Sequence, residues 1–203
     1  MNIAIIGTGN VGGALATQWS KKEHKIFLGV NDINNFKGKA LLNNRNTIAC
    51  SINEAVAKSE VVLLAIPPIA IFEVLQQFGN VEHKIIIDAT NSIAKKPEPY
   101  TTVYHCLLDK TNAHVVKCFN TTGYENMLNP IYNYEAIDMF MAGDSDIAKD
   151  VAVQLAIDGG FENCYDFGKS DKVVLLENFA LSWINLAIMQ KMGRDIAFKI
   201  LKR

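Results

Sequence analysis

The sequence predicts an α/β protein: a doubly wound, mostly parallel sheet with a C-terminal extension ending in a long helix. Three observations carry this reading. Short β-rich runs alternate with helix-like stretches from the first residue onward, the pattern of a parallel sheet with helices on both faces. Two runs, Val61–Ile66 and Lys84–Asp88, read as strands buried on both sides. The first run ends in a glycine-rich turn that opens a helix.

In chain order, Ile3–Ile6 is the first strand and Val11–Trp19 the first helix. Lys25–Leu28 is a second strand, followed by a weak helix over Asn34–Leu42 and a brief strand at Thr47–Cys50. Ser51 and Glu54 have capping-box spacing, so a helix runs to about Lys58. Pro67-Pro68 stops the fourth strand. Ile69–Phe78 is a helix ended by Gly79. After the fifth strand, Ile93–Pro99 reads as an exposed loop. Tyr100–Asp109 is helical and His114–Phe119 the sixth strand. Ile137–Ala142 and Phe161–Phe167 are further strands, separated by a helix capped at Asp144 or Ser145 and closed by Gly159-Gly160. The long helix spans Asp171–Met192. Val173, Leu176, Ala180, Ile184, Ala187 and Ile188 form one apolar stripe, and Leu175, Phe179 and Trp183 a second. A helix apolar on two sides wants burial on two sides, which points to a homodimer.

Composition narrows the function classes. Of 203 residues, 49% are hydrophobic and 20% charged, which excludes a disordered chain. Twenty basic against 21 acidic residues give a formal charge of −1, so no general field attracts nucleic acid or an anionic membrane. No uninterrupted apolar run reaches the roughly 18 residues of a membrane span. The N-terminus lacks a basic region and a cleavage site, and the four cysteines are scattered. The expectation is a cytoplasmic protein with reduced thiols. His24 and His83 read as solvated, and no histidine pairs with a carboxylate or cysteine in the pattern. A hydrolytic triad or a metal site is therefore not expected.

The chemistry-bearing motif is Gly7-Thr8-Gly9-Asn10-Val11-Gly12, a G-x-G-x-x-G between the first strand and first helix. Gly7 allows the tight turn, Gly9 lets the backbone approach a pyrophosphate, and Gly12 lets the helix pack on the strand. The helix N-terminus offers free N–H groups to the phosphates. The fold is thus Rossmann-type: residues 1–120 form the dinucleotide-binding domain, and 121–203 an extension packed on the same unit. NAD or NADP is the expected cofactor. Asp32 lies 20 residues past Gly12, where an acidic side chain accepts from the ribose 2′-hydroxyl of NAD, and Asn31 beside it can bond a hydroxyl or a phosphate.

The carboxyl ends of parallel strands form the ligand crevice. Ala65, Ile66 and Pro67 end the fourth strand, and Asn91 and Ser92 follow the fifth; they are expected to line the ribose and nicotinamide. Val116-Lys117-Cys118-Phe119-Asn120-Thr121 ends the sixth. Asn120 can hold a carboxamide or an acceptor ring. Lys117 is either a positioning group or a structural charge.

With these residues in view, the chain resembles the NADP oxidoreductase, coenzyme F(420)-dependent family, the deazaflavin-linked reductases. It also resembles the oxidoreductase domain of six-transmembrane metalloreductases. The resemblance rests on Ile3–Gly12, Val61–Pro67, Ile86–Ser92 and Val115–Thr121, with a weaker match at Leu175-Leu176-Glu177-Asn178 and Trp183. It implies NADPH as hydride donor and a flavin or deazaflavin ring as acceptor. It also implies a Ser-Arg pair gripping the 2′-phosphate, where this chain has Val30-Asn31 after Gly29. The deazaflavin reductases commonly carry histidine at the position of Asn120; the metalloreductase domain carries asparagine.

The favoured function is an NAD(P)H-dependent oxidoreductase with a small-molecule ring acceptor. One alternative is a small-molecule dehydrogenase acting on a keto acid or imine, with Lys117 as proton donor and Asn120 as orienter. Another is a non-enzymatic dinucleotide sensor.

Overall fold

The computed structural model describes residues 1–203. Ten strands and seven helices follow in order: β1 (Asn2–Ile6), α1 (Asn10–Lys21), β2 (Lys25–Val30), β3 (Thr47–Ser51), α2 (Ile52–Lys58), β4 (Val61–Leu64), α3 (Ile71–Leu75), β5 (Ile85–Asp88), α4 (Val103–Lys110), β6 (His114–Cys118), α5 (Tyr124–Leu128), β7 (Ile131–Tyr132), β8 (Glu135–Ala136), β9 (Met139–Ala142), α6 (Asp146–Asp158), β10 (Cys164–Asp166) and α7 (Val173–Ile184). An eight-stranded sheet runs β10-β9-β6-β5-β4-β1-β2-β3, with β7 and β8 a separate hairpin. The six strands from β3 to β6 pair in parallel, β9 joins β6 antiparallel, and β10 runs parallel to β9. The strand order reverses direction at β1, between β2 and β4, and this switch point aims the crevice at the turn after β1.

Burial on both faces explains the apolar strands. Ile3 and Ile5 of β1 join a cluster of 26 buried residues beneath α1 and α6. Ala4 and Ile6 join a cluster of 22 on the opposite face, beneath α2, α4 and α7. Half of the capping box forms: Ser51 Oγ accepts from the Glu54 N–H at 3.2 Å, while the Glu54 carboxylate pairs with Lys58. Ser145 caps α6 in the same way, accepting from Ala148.

Several expected elements change. The weak helix at 34–42 is an irregular loop with a 3₁₀ turn at Lys39–Asn43. The helix expected over 69–78 shortens to α3 behind a 3₁₀ turn at Pro68–Ala70. The strand at 161–167 contracts to the three residues of β10. His24 is buried, not solvated; it lies between the N-terminal amine (3.1 Å) and Asp158 (2.9 Å), remote from the crevice. The hairpin β7–β8 and the short α5 come from a stretch with no periodic signal. Its two-residue turn places Asn133 and Tyr134 at φ of 48° and 71°, the backbone that twists hairpin strands correctly.

The long helix divides. α7 ends at Ile184, a π-helical turn covers Asn185–Met189, and the chain then folds back irregularly. The Trp183 indole N–H donates to the Ile196 carbonyl at 2.7 Å, and Phe198 packs on Phe179 at 4.6 Å between centroids. Most of the first apolar stripe is core: Val173, Leu176, Ala180 and Ala187 are buried and Ile184 is half-buried, while Ile188 is exposed. The second stripe is split. Trp183 is buried and Phe179 packs among Phe140, Phe167 and Phe198, whereas Leu175 is exposed, as are Val174 and Met189 outside both stripes. Within the 20-residue helical stretch Ser170–Met189, an 18-residue window has a mean hydropathy of 1.4, long and apolar enough by composition to cross a bilayer. A third of it is buried within this fold.

Candidate active site

Two cavities open on either side of the turn after β1. The first, about 320 Å³, takes Gly7 and Thr8 from the turn, Gly29 to Asp32 from the end of β2, Ile66 from beyond β4 and Glu73 from α3. The second, about 310 Å³, takes Asn10 and Val11 from the start of α1, Asn91, Asn120, Gly123, Tyr124, and Ala180, Trp183 and Ile184 from α7. The glycine turn and the N-terminus of α1 lie between them. This is the layout for a ligand with two ends and an anionic middle.

The three motif glycines divide by what surrounds them. A Cβ at Gly7, where φ is +103°, would collide with the Ala65 carbonyl, and one at Gly12 with the Gly7 carbonyl oxygen. The fold itself requires both. A Cβ at Gly9 would meet no protein atom within 4 Å. Gly9 is also the N-cap of α1 and offers no side-chain cap, so the free N–H groups of the first turn face open space. That space suits a pyrophosphate at a helix N-terminus. The dinucleotide therefore fits the residues present.

Asn91 and Asn120 form an interlocked pair. Asn91 Nδ2 donates to the Asn120 carbonyl at 2.9 Å, and Asn120 Nδ2 donates to Asn91 Oδ1 at 3.0 Å. These two bonds fix both amide orientations. They also leave Asn120 Oδ1, on a residue 4% exposed, with no protein partner. A buried acceptor left bare costs about 1–3 kcal/mol, and this one belongs to a residue that lines the second cavity.

Lys117 does not reach the crevice. It is fully buried, and its ammonium donates to Asp88 Oδ2 (2.9 Å), Glu177 Oε1 (2.6 Å) and the Thr90 carbonyl (2.5 Å). All three N–H donors are occupied, which corrects the expectation of a proton donor or ligand-facing group. The cluster instead shapes the loop after β5. Asp88 Oδ1 accepts from the Thr90 N–H and Glu177 Oε2 from the Ser92 N–H, both at 2.9 Å. Asn91 is thereby held between two anchored neighbours. Burial pushes the Glu177 carboxyl up, with the Lys117 ammonium pulling it back and the Asp88 charge adding to the rise.

Other expected contacts sort themselves by position. Ser92 faces away from the crevice: it is buried, and its Oγ accepts from the Val103 N–H at the start of α4. Of Ala65, Ile66 and Pro67, only Ile66 lines a cavity; the Ala65 carbonyl packs on Gly7, and Pro67 is exposed. Asn31, Asp32, Thr8 and Gly7 line the first cavity and Asn10 and Val11 the second. The sequence reading missed Tyr124, Trp183 and Arg194 as crevice residues. Arg194 pairs with Glu125 at 2.5 Å and lies over the rings of Tyr124 and Trp183, at 5.6 and 5.3 Å from their centroids. Only the Glu177 and Trp183 segment gave a signal, through the resemblance; nothing in local pattern marks a cation that arrives from an irregular tail.

A glycine turn between two cavities at the switch point is an arrangement that dinucleotide-binding proteins use. Residues 2–92 match the NADP oxidoreductase, coenzyme F420-dependent family. The F420-dependent oxidoreductase match spans β1 to Ser92, so it includes the glycine turn, Asp32 and Asn91 and stops short of Asn120. Over the whole chain, the fold is shared with a crystal structure from Arthrobacter sp. FB24, described as an F420-dependent NADP-reductase: TM-score 0.86 at 21% identity, covering 100% of both chains. A reductive aminase from Aspergillus terreus in complex with NADPH and ethyl-5-oxohexanoate superposes with a TM-score of 0.71 at 17% identity, over 94% of this chain and 62% of that one. Glycerol-3-phosphate dehydrogenase [NAD(P)+] of Macrococcus caseolyticus is 29% identical over 107 residues, 46% of this chain and 32% of that protein. The chain thus matches about a third of its curated relative.

Proposed function

We propose that this protein passes hydride from a bound NAD(P)H to a flat ring acceptor, a flavin or deazaflavin, seated in the crevice between Asn120 and α7. The observation that carries this reading is the character of the crevice. It presents one bare, buried acceptor at Asn120 Oδ1 and an aromatic wall of Tyr124 and Trp183. Its charged lining is confined to Arg194, which Glu125 neutralises. When bound, the dinucleotide supplies the hydride and a ring of this kind accepts it, so the protein's part is to set distance and angle. Gly9 and the first turn of α1 hold the pyrophosphate, Asn120 and Asn91 orient a polar edge, and α7 excludes water.

The test is a turnover screen of NADH and NADPH against flavin, deazaflavin, keto-acid and imine acceptors. Ring acceptors are expected to turn over. Asn120→Ala is expected to slow that turnover by about 10-fold or less, because no proton transfer is lost, whereas removing a positioned acid typically costs ~10²–10⁴-fold.

A second reading, reduction of a carbonyl or imine, is favoured by one observation: the Tyr124 phenol lines the crevice and can donate a proton. Tyr124→Phe separates the two. A ring reductase should keep most of its rate, while a loss beyond ~100-fold on a keto acid or imine would establish the second reading.

We also propose that the exposed residues Val174, Leu175, Ile188 and Met189 of the α7 region meet a second copy of the chain. A dimer mass by light scattering at micromolar concentration is expected, and Leu175→Glu should yield a folded monomer. A monomeric wild type would overturn the assembly.

A further inference from the structure

The first cavity has the wrong charge for the cofactor that the family's description names. Its 14 lining residues include two carboxylates, Asp32 and Glu73, and no lysine, arginine or histidine. Asp32 lines the cavity just past the end of β2, and its Oδ1 accepts from the Asn34 N–H at 2.8 Å, an Asx turn that fixes the orientation of the carboxylate. Glu73 enters from a different element, the first turn of α3. Asn31, in the position where the family grips phosphate with arginine, is itself held: its Oδ1 accepts from Gln77 Nε2 at 3.2 Å. The cations of the following loop, Lys37, Lys39 and Arg45, are exposed and line neither cavity.

A ribose 2′-hydroxyl donates readily to a carboxylate, whereas a 2′-phosphate carries only acceptors and negative charge. Between Asp32 and Glu73 a phosphate meets repulsion from two sides and finds no guanidinium to pair with. We propose that Asp32 and Glu73 make this oxidoreductase selective for NAD(H) over NADP(H). Asp32 receives the 2′-hydroxyl, and Glu73 is a second barrier to phosphate, contributed by an element outside the turn that ordinarily decides this choice. The proposal rests on the reading of the cavities as a dinucleotide site and not on the identity of the acceptor.

The experiment is direct binding without any acceptor. NADH and NADPH are titrated separately into the purified chain, by calorimetry or nicotinamide fluorescence, at low and moderate salt. NADH is expected to bind about 10-fold tighter or more, with the gap widening at low ionic strength as screening falls. The double variant Asp32→Asn/Glu73→Gln is expected to close the gap to about threefold or less, mainly by tightening NADPH. Wild type binding NADPH as tightly as NADH would overturn the proposal while leaving the dinucleotide site intact. So would an undiminished NADH preference in the double variant. Failure of either dinucleotide to bind at millimolar concentration would overturn both the selectivity and the site on which it rests.

Discussion

Lys117→Met is expected to cost about 3–5 kcal/mol of folding stability, because it leaves two buried carboxylates without their cation. Asp88 and Lys117 are both fully buried, and Glu177 is nearly so. Urea denaturation reads the loss directly. A variant as stable as wild type but without turnover would mean that the ammonium reaches the crevice after all, and the dehydrogenase with a lysine donor would replace the ring reductase. Glu177→Gln is expected to be milder, since Lys117 keeps Asp88 and the Thr90 carbonyl. Its pH dependence has a definite sign. Burial raises the Glu177 pKa in the fold above its ordinary 4.5, so the folded chain holds that proton more tightly than the unfolded one. The ionised side chain therefore costs stability progressively as pH climbs from 4.5 through the raised value. The Glu177→Gln variant lacks this cost. Its stability relative to wild type should improve across that interval, and a flat difference would show that the carboxyl is not raised.

The second large effect is at Gly9. Gly9→Val is expected to abolish measurable dinucleotide binding, a loss of at least ~100-fold or about 2.7 kcal/mol. Stability should change by about 1 kcal/mol or less, the scale of a poorer N-cap. The separation follows from the empty space around the Cα: an added Cβ would meet no protein atom within 4 Å, and the branched side chain would fill the room the pyrophosphate needs. Gly12→Val is the built-in contrast. Its side chain would strike the Gly7 carbonyl and Ile5, so it should damage the fold as well as binding. A folded Gly9→Val chain with unchanged NAD(P)H affinity would remove the pyrophosphate from this turn.

The parallel half of the fold was legible because each strand there carries its own signal: β1, β4 and β5 are apolar on both faces, and Ser51 announces α2. Past residue 120 the local signals weaken. The β7–β8 hairpin depends on Asn133 and Tyr134 adopting left-handed backbone, which no Asn-Gly or Asp-Gly pair advertised. The end of α7 was misplaced because Asn185–Met189 continue the apolar spacing while their hydrogen bonds loosen into a π-turn. Among site residues, the glycine turn, Asp32, Asn91 and Asn120 were legible from strand-end position alone. Lys117 was not. A lysine within a strand is equally a crevice group or a buried cation, and the choice is made by Asp88 and by Glu177, 60 residues away in sequence. Arg194 was invisible for the same reason: tertiary contact alone brings it over Tyr124 and Trp183.

The returning tail has a consequence for the order in which this molecule becomes competent during synthesis. The cavity at the acidic end is assembled from residues between Ile6 and Val74. The crevice wall draws on Trp183 and Arg194, and Trp183 is anchored by the backbone at Ile196. A nascent chain emerging from the ribosome therefore has every residue of the first cavity in hand more than 100 residues before those of the second, and the aromatic wall of the second cavity is the last piece of the groove to be made.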